Sequence, residues 1–137
     1  MSSFKISKTI PLLAGDLVTF ALVTLFGFAT HNELASAEIR MLSTFIPLLV
    51  SWFLISPHLR VYDLQLALDW RQLWRPFWAM VLAAPMAGWL RGLWLGAPVV
   101  LIFVFIIGGV SALAILAWRS LYLAFYTLAY RKKLNYG

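Results

Sequence analysis

The amino-acid sequence predicts an all-α, polytopic membrane protein with four transmembrane helices and a short interfacial helix between the second and the third. Residues 92–118 contain no ionisable side chain, and about 20 apolar residues suffice to cross a bilayer as a helix. Hydrophobic residues make up 63% of the chain and charged residues only 12%, about half the charge of a soluble domain. The remaining apolar runs are separated by short polar intervals, so residues 1–137 are expected to form a single transmembrane domain.

The first crossing is predicted at residues 9–30, where Asp16 is the only ionisable residue. A cleaved signal peptide is the alternative, because Ala35, Ser36 and Ala37 have the small-x-small form of a cleavage site. The apolar run is long for a signal peptide and contains an aspartate. These two features favour a retained crossing.

Two crossings and an interfacial helix are predicted in the middle of the chain. The second crossing covers residues 41–57, and Pro47 within it predicts a kink that neighbouring helices can accommodate. Residues 62–73 interleave leucines and tryptophans with polar side chains, which predicts a short helix at the membrane interface. The third crossing covers residues 74–95. Arg75 and Arg91, which bound its uncharged run, must extend towards the interfaces.

The fourth crossing is predicted at residues 98–118, with Pro98 in its first turn, where the missing N–H has no cost. The apolar and aromatic pattern continues to about residue 130 and stops at Arg131. A helix of this length measures about 50 Å. Its end is therefore expected to leave the membrane or to bend along the interface.

The lysines and arginines predict the orientation. With four crossings, all of them except Arg40 and Arg91 fall on one side, which is then cytoplasmic. Both termini are therefore expected inside, and the loop at residues 31–40 outside. The expected location is the cell (inner) membrane or an intracytoplasmic membrane. The basic residues lie at the ends of apolar runs and form no basic face, so no nucleic-acid partner is expected.

Asp16 is the most informative residue, because a carboxylate inside a membrane helix costs a few kcal/mol and needs a partner or a pathway. An ion pair is the structural interpretation, and a proton or cation relay is the functional one. A relay needs several ionisable groups across the membrane, so the ion pair is favoured. Arg119 is the best partner, since both residues are expected at similar depth on the cytoplasmic side. The alternative for Arg119 is that its side chain extends to the phosphate headgroups. Other cationic candidates on that side are Arg60, Arg71 and Arg75.

His31 is the better of two histidines as a ligand-binding candidate, because Glu33 lies two residues later and could orient its ring. His58 is expected about a bilayer away from His31, which argues against a haem shared between them. One histidine could ligate a single pigment, although a loop histidine with a polar neighbour is the commoner situation. A lipid, quinone, carotenoid or (bacterio)chlorophyll could bind along the aromatic surfaces. The sequence contains no recognisable catalytic or metal-binding motif.

Several short motifs form an ordered series along the chain. They are Asp16, the run G-F-A-T-H-N-E that contains Gly27, His31 and Glu33, Pro47, the run P-M-A-G-W-L-R at residues 85–91, and Trp118 with Arg119. This series resembles a family of small bacterial and archaeal four-helix membrane proteins classed as a domain of unknown function. The resemblance implies a four-helix fold and special roles for Asp16 and His31, but no known activity. The family pattern leads us to expect a basic residue after the glycine, and Phe28 departs from it at that position.

Three function hypotheses follow. The first is a non-enzymatic accessory or structural subunit of a larger membrane complex, in contact with the lipid bilayer, with other integral membrane subunits and with a lipophilic cofactor. The second is a small proton, ion or solute transporter that acts as a homo-oligomer. The third is a membrane enzyme acting on lipid, with His31, Glu33 and Glu38 as an acid-base cluster. It ranks last, because no nucleophile or metal set accompanies that cluster.

Overall fold

The computed structural model describes residues 2–30 and 38–135, which form helices and turns without any strand. The five α-helices are α1 (Ser2–Thr30), α2 (Glu38–Ile55), α3 (Leu64–Ala67), α4 (Trp74–Leu95) and α5 (Leu101–Asn135). Two short 3-10 helices, Ser56–Leu59 and Trp70–Gln72, flank α3. The predicted all-α class is confirmed.

The long helices run alternately up and down, because the end of one lies beside the start of its neighbour: Leu25 of α1 and Met41 of α2 line one pocket, Arg91 of α4 bonds Thr44 of α2, and Gly88 of α4 meets Val104 of α5. Small residues let α4 and α5 approach each other closely. A Cβ added at Gly108 would lie 2.6 Å from the Cβ of Ala84, and one added at Gly88 would overlap Val104. Such close backbone approach is typical of helix packing inside membranes. The core is completed by large side chains from the other helices, among them Phe20, Leu48 and Trp52, which are fully buried.

Within residues 2–30 and 38–135, three helical segments are long and apolar enough to cross a membrane, namely Lys8–Ala29, Glu38–Leu59 and Leu101–Asn135. Helix α4 has 22 residues, about 33 Å at the helical rise, but it is not one of these three. Its inner face is tightly packed, with Ala79, Met80 and Ala83 fully buried. Three helices therefore fit a membrane protein by their length and composition, and α4 packs against two of them, α2 and α5.

The prediction of one interfacial helix at residues 62–73 is wrong, because two aspartates start two shorter helices there. The Asp63 carboxylate accepts a hydrogen bond from the backbone N–H of Gln65 at 3.1 Å, and α3 follows. The Asp69 carboxylate accepts one from the backbone N–H of Arg71 at 2.9 Å, which begins the 3-10 helix. Aspartate stabilises helix starts in this way and competes with continuation of the preceding helix.

The last helix begins at Leu101 and not at Pro98 as predicted, because the chain first folds back over the end of α4. Gly96 has φ 61°, which ends α4 in the left-handed conformation that glycine tolerates. The backbone N–H of Ala97 then donates to the carbonyl of Gly92 at 3.0 Å. The four residues from 97 to 100 form this non-helical link. Helix α5 continues past the predicted end, to Asn135.

Helix α2 begins at Glu38, three residues before the predicted second crossing at 41–57. Its acidic residue in the first turn suits the positive end of the helix dipole. The helix runs continuously through Pro47 as far as Ile55.

Candidate functional site

Asp16 of α1 and Arg119 of α5 meet inside the bundle. The Arg119 Nη2 donates to Asp16 Oδ2 at 2.7 Å, and its Nε donates to Asp16 Oδ1 at 3.2 Å. Asp16 is fully buried, and the Arg119 side chain is only 3% exposed. This is the bidentate geometry, in which one guanidinium donates two hydrogen bonds to one carboxylate. The two residues that sequence analysis pairs are therefore in direct contact, and both are removed from solvent.

Tyr62 and Trp52 complete the site, and sequence analysis did not place either of them there. The Tyr62 hydroxyl donates to Asp16 Oδ2 at 2.5 Å and accepts a hydrogen bond from the indole Nε1 of Trp52 at 2.8 Å. The Arg119 guanidinium lies 5.2 Å from the centre of the Tyr62 ring. We call Asp16, Arg119, Tyr62 and Trp52 the polar cluster. It joins α1, α2 and α5 to the segment that follows α2.

A sharp turn after α2 directs this segment into the bundle. Arg60 has φ 54°, in the left-handed region, and its guanidinium bonds the Asp63 carboxylate at 2.5 Å. Val61 is buried, and its carbonyl accepts a hydrogen bond from Arg119 Nη1 at 3.2 Å. Arg75 of α4 donates to the carbonyl of Leu59 at 3.0 Å. Two arginines from different helices therefore fix the backbone on either side of the turn, which positions Tyr62.

The packing beside the polar cluster is tight. A Cβ added at Gly15, next to Asp16, would overlap the indole ring of Trp118. On the other side of the cluster, the rings of Phe20 and Trp52 meet edge to face with their centres 5.3 Å apart. Helix α1 can approach α5 closely at this level only because residue 15 has no side chain.

The polar cluster is closed, because its charged groups are bonded to one another. Both Asp16 oxygens accept hydrogen bonds, and all three Arg119 nitrogens named above donate one. Burial, followed by the negative charge of Asp16, raises the pKa of Tyr62 above its usual value. Tyr62 therefore stays protonated and keeps donating its hydroxyl proton. A carboxylate held by these bonds, as Asp16 is, is much better suited to joining helices than to transferring protons.

The other cationic candidates for Asp16 are engaged elsewhere. Arg60 pairs with Asp63, and Arg75 bonds Gln72 at 2.7 Å and lies over the ring of Trp74. Arg71 follows Asp69 in the short 3-10 helix near the surface. These contacts leave Arg119 as the cation that neutralises Asp16.

The predicted ligand candidates His31 and Glu33 lie outside the described residues, as does the cleavage-like run at 35–37. His58 is exposed in the 3-10 helix after α2. Within residues 2–30 and 38–135, no three His, Asp or Glu side chains are grouped as metal ligands.

A second charged region lies at the other end of the bundle, where sequence analysis expected arginines to extend to the interface. Arg91 of α4 donates through Nε to the Thr44 hydroxyl at 3.2 Å, and its guanidinium lies 4.4 Å from the centre of the Phe103 ring. Together with Arg40, it lines a cavity of about 610 Å³. The sequence already indicated that these two residues lie at the same end of the bundle, since Arg40 and Arg91 are the two basic residues assigned to that side of the membrane.

The fold and the polar cluster define a helical protein of membrane-spanning composition whose helices are joined by a buried ion pair. Residues 13–122 match the family model described as a protein of unknown function, DUF3054. The chain belongs to this family, which agrees with the resemblance noted from its motifs. Comparison with curated proteins gives no match, and comparison with solved structures gives none.

Proposed function

We propose that this chain is a non-enzymatic integral membrane protein that acts as a subunit of a larger membrane assembly. The observation that carries the proposal is the free end of α5. Leu123 is the last buried residue of that helix. Beyond it, Phe125 is 71% exposed and Leu128 is 64% exposed.

The length of α5 explains why this surface needs a partner. Its 35 residues measure about 52 Å, whereas the hydrocarbon layer is about 30 Å thick. Lipid can cover the apolar residues within the layer. A continuous apolar face beyond the layer is costly in water and marks an interaction surface. A neighbouring membrane subunit that extends to the same height would cover it.

The polar cluster supports a structural role over a catalytic one. Asp16 is the one acidic residue that is buried among the residues that the structure describes. Its two carboxylate oxygens accept hydrogen bonds from Arg119 and Tyr62. A general acid or base must reach a substrate, and this carboxylate faces its own partners. In the proposed function it fixes the bundle, whose outer surfaces then contact lipid and protein.

We further propose four crossings, with α4 as the third, and with both termini in the cytoplasm. The alternate directions of the long helices support this topology, as does the excess of lysine and arginine on one side. A cysteine introduced at Ser36 should then react with an impermeant reagent outside intact cells, while one at Ser2 should not. The reverse labelling pattern would exclude this topology.

The assembly can be tested by measuring native mass after gentle extraction from the membrane. The wild-type chain, of 15.5 kDa, should migrate in a complex that contains other subunits. Phe125→Ala combined with Leu128→Ala should release it. The matched control is Ile102→Ala with Leu113→Ala on the same helix, because each of these residues is 68% exposed.

The control pair should leave the complex intact, since lipid covers those positions in the proposed arrangement. A wild-type chain that migrates as a monomer would refute the assembly. A complex built of this chain alone would favour the homo-oligomeric transporter instead.

A further inference from the structure

The cavity of about 610 Å³ at the end of the bundle opposite the polar cluster has charged and apolar walls. Arg40 of α2 and Arg91 of α4 supply the charge, and no carboxylate occurs among the described residues that line it. The remaining walls come largely from α1 and α5, including Val23, Phe28 and Ile107. A cavity of this size falls within the range of about 300–1,000 Å³ found for small-molecule sites.

Arg91 is positioned to bind an anion. Its Nε is bonded to Thr44, and its guanidinium is held against the ring of Phe103. Its two terminal nitrogens make no hydrogen bond within the part of the chain that the structure describes. Arg40 lines the same cavity. A ligand with negative charge would accept hydrogen bonds from these terminal donors of Arg91.

The cavity opens into a long apolar groove of about 1,000 Å³ between α1 and α5. The two spaces share four lining residues, Val23, Gly27, Ile106 and Ile107. The groove runs from there towards the polar cluster, between side chains such as Val18 and Ala114. The cavity with the two arginines is therefore continuous with an apolar groove that runs along the helices.

We propose that these joined spaces bind a membrane lipid with an anionic phosphate headgroup. The phosphate accepts hydrogen bonds from the terminal nitrogens of Arg91, and one acyl chain follows the groove between α1 and α5. The charge of the cavity selects the headgroup, and the apolar groove selects a long hydrocarbon tail. This inference goes beyond the proposed function and does not depend on it, because a monomer could bind the same lipid.

Gly27 provides a way to block the site without disturbing the chain. It lies at the junction of the two spaces, and a Cβ added there would meet no atom within 4 Å. Gly27→Leu should therefore fill the junction. The matched control is Gly109→Leu, because a Cβ at Gly109 also meets nothing within 4 Å and the residue lines neither space.

The experiment measures the thermal unfolding midpoint of the full chain in neutral detergent as phosphatidylglycerol is titrated in. Wild type and Gly109→Leu should be stabilised with the same apparent affinity, which should fall as salt is added. Arg91→Gln should bind about tenfold more weakly, the effect of losing one charge-assisted hydrogen bond. Arg91→Lys should bind with intermediate affinity, and Gly27→Leu should lose the stabilisation.

Three outcomes would overturn the assignment. Equal stabilisation by phosphatidylcholine would exclude selection of anionic lipid, and full stabilisation by inorganic phosphate alone would exclude a role for the acyl chain. Retention of wild-type affinity by both Gly27→Leu and Arg91→Gln would exclude the site. The midpoints without lipid serve as the folding control, since Gly27→Leu and Gly109→Leu should unfold at similar temperatures.

Discussion

The two ends of the bundle each contain a helix-borne arginine, but the surroundings of the two are opposite. Arg119 is 3% exposed and is bonded to Asp16 and to the Val61 carbonyl. Arg91 lines an open cavity, and its hydrogen-bond partner is the neutral hydroxyl of Thr44. The first arginine is part of the folded core, whereas the second faces a space that a ligand can enter.

The glycines of α1 follow the same division. Gly15, beside the polar cluster, is covered by the indole of Trp118, whereas Gly27 faces open space. One helix therefore approaches α5 closely at one level and leaves a groove at another. We therefore expect the end with the polar cluster to contribute most to stability, and the proposed lipid binding to occur at the other end.

The largest expected effect comes from breaking the ion pair. Asp16→Asn and Arg119→Leu should each destabilise the bundle by about 3 to 5 kcal/mol, because each leaves a buried charge without its partner. The double variant should recover part of this loss. Unfolding by SDS titration in mild detergent measures all three free energies.

Residues in contact show non-additive effects, so the coupling energy of this cycle should be clearly different from zero. Arg131→Leu serves as a control, because Arg131 is exposed near the end of α5. If the losses from Asp16→Asn and Arg119→Leu simply add, the two side chains are not paired in the folded protein.

The second effect is a contrast between two alanine substitutions on α1. Gly15→Ala should cost about 1 to 3 kcal/mol, the usual cost of forcing extra atoms into a packed contact. Gly27→Ala should be neutral or stabilise by up to about 1 kcal/mol, because alanine favours the helix and meets no obstacle. The same unfolding measurement in neutral detergent compares the two. Equal effects would mean that α1 does not pack more tightly beside the polar cluster.

Much of this architecture could be predicted from the sequence, because apolar runs in a membrane protein have few alternatives to helix. The positions of α1, α2 and α4 follow from the runs and the charges that bound them. The pairing of Asp16 with Arg119 followed from depth alone. A lone buried acid needs a cation, and few cations can reach its level.

The parts that could not be predicted depend on local competition and on tertiary contacts. Whether Asp69 would continue a helix or start a new one depends on which hydrogen bonds its side chain makes, and the pattern of leucines contains no information about that. Tyr62 comes from a connecting segment, and its inward direction depends on the left-handed turn at Arg60. The adjacent apolar and aromatic pair of Val61 and Tyr62 in a polar interval was the available signal.

The smallest expected effect is that of removing the charge of Arg91, and it completes the comparison with Arg119. In neutral detergent without anionic lipid, Arg91→Gln should change the free energy of unfolding by less than about 1 kcal/mol. The substitution removes a cation from the face of the Phe103 ring, an interaction worth about 0.5 to 1 kcal/mol where solvent is near, and glutamine can still bond the Thr44 hydroxyl. Arg119→Gln, measured in parallel, should cost several times more, since it leaves Asp16 buried without a cation. Equal losses for the two variants would show that Arg91 is as deeply integrated into the folded core as Arg119, and the division between a closed end and an open end would then fail.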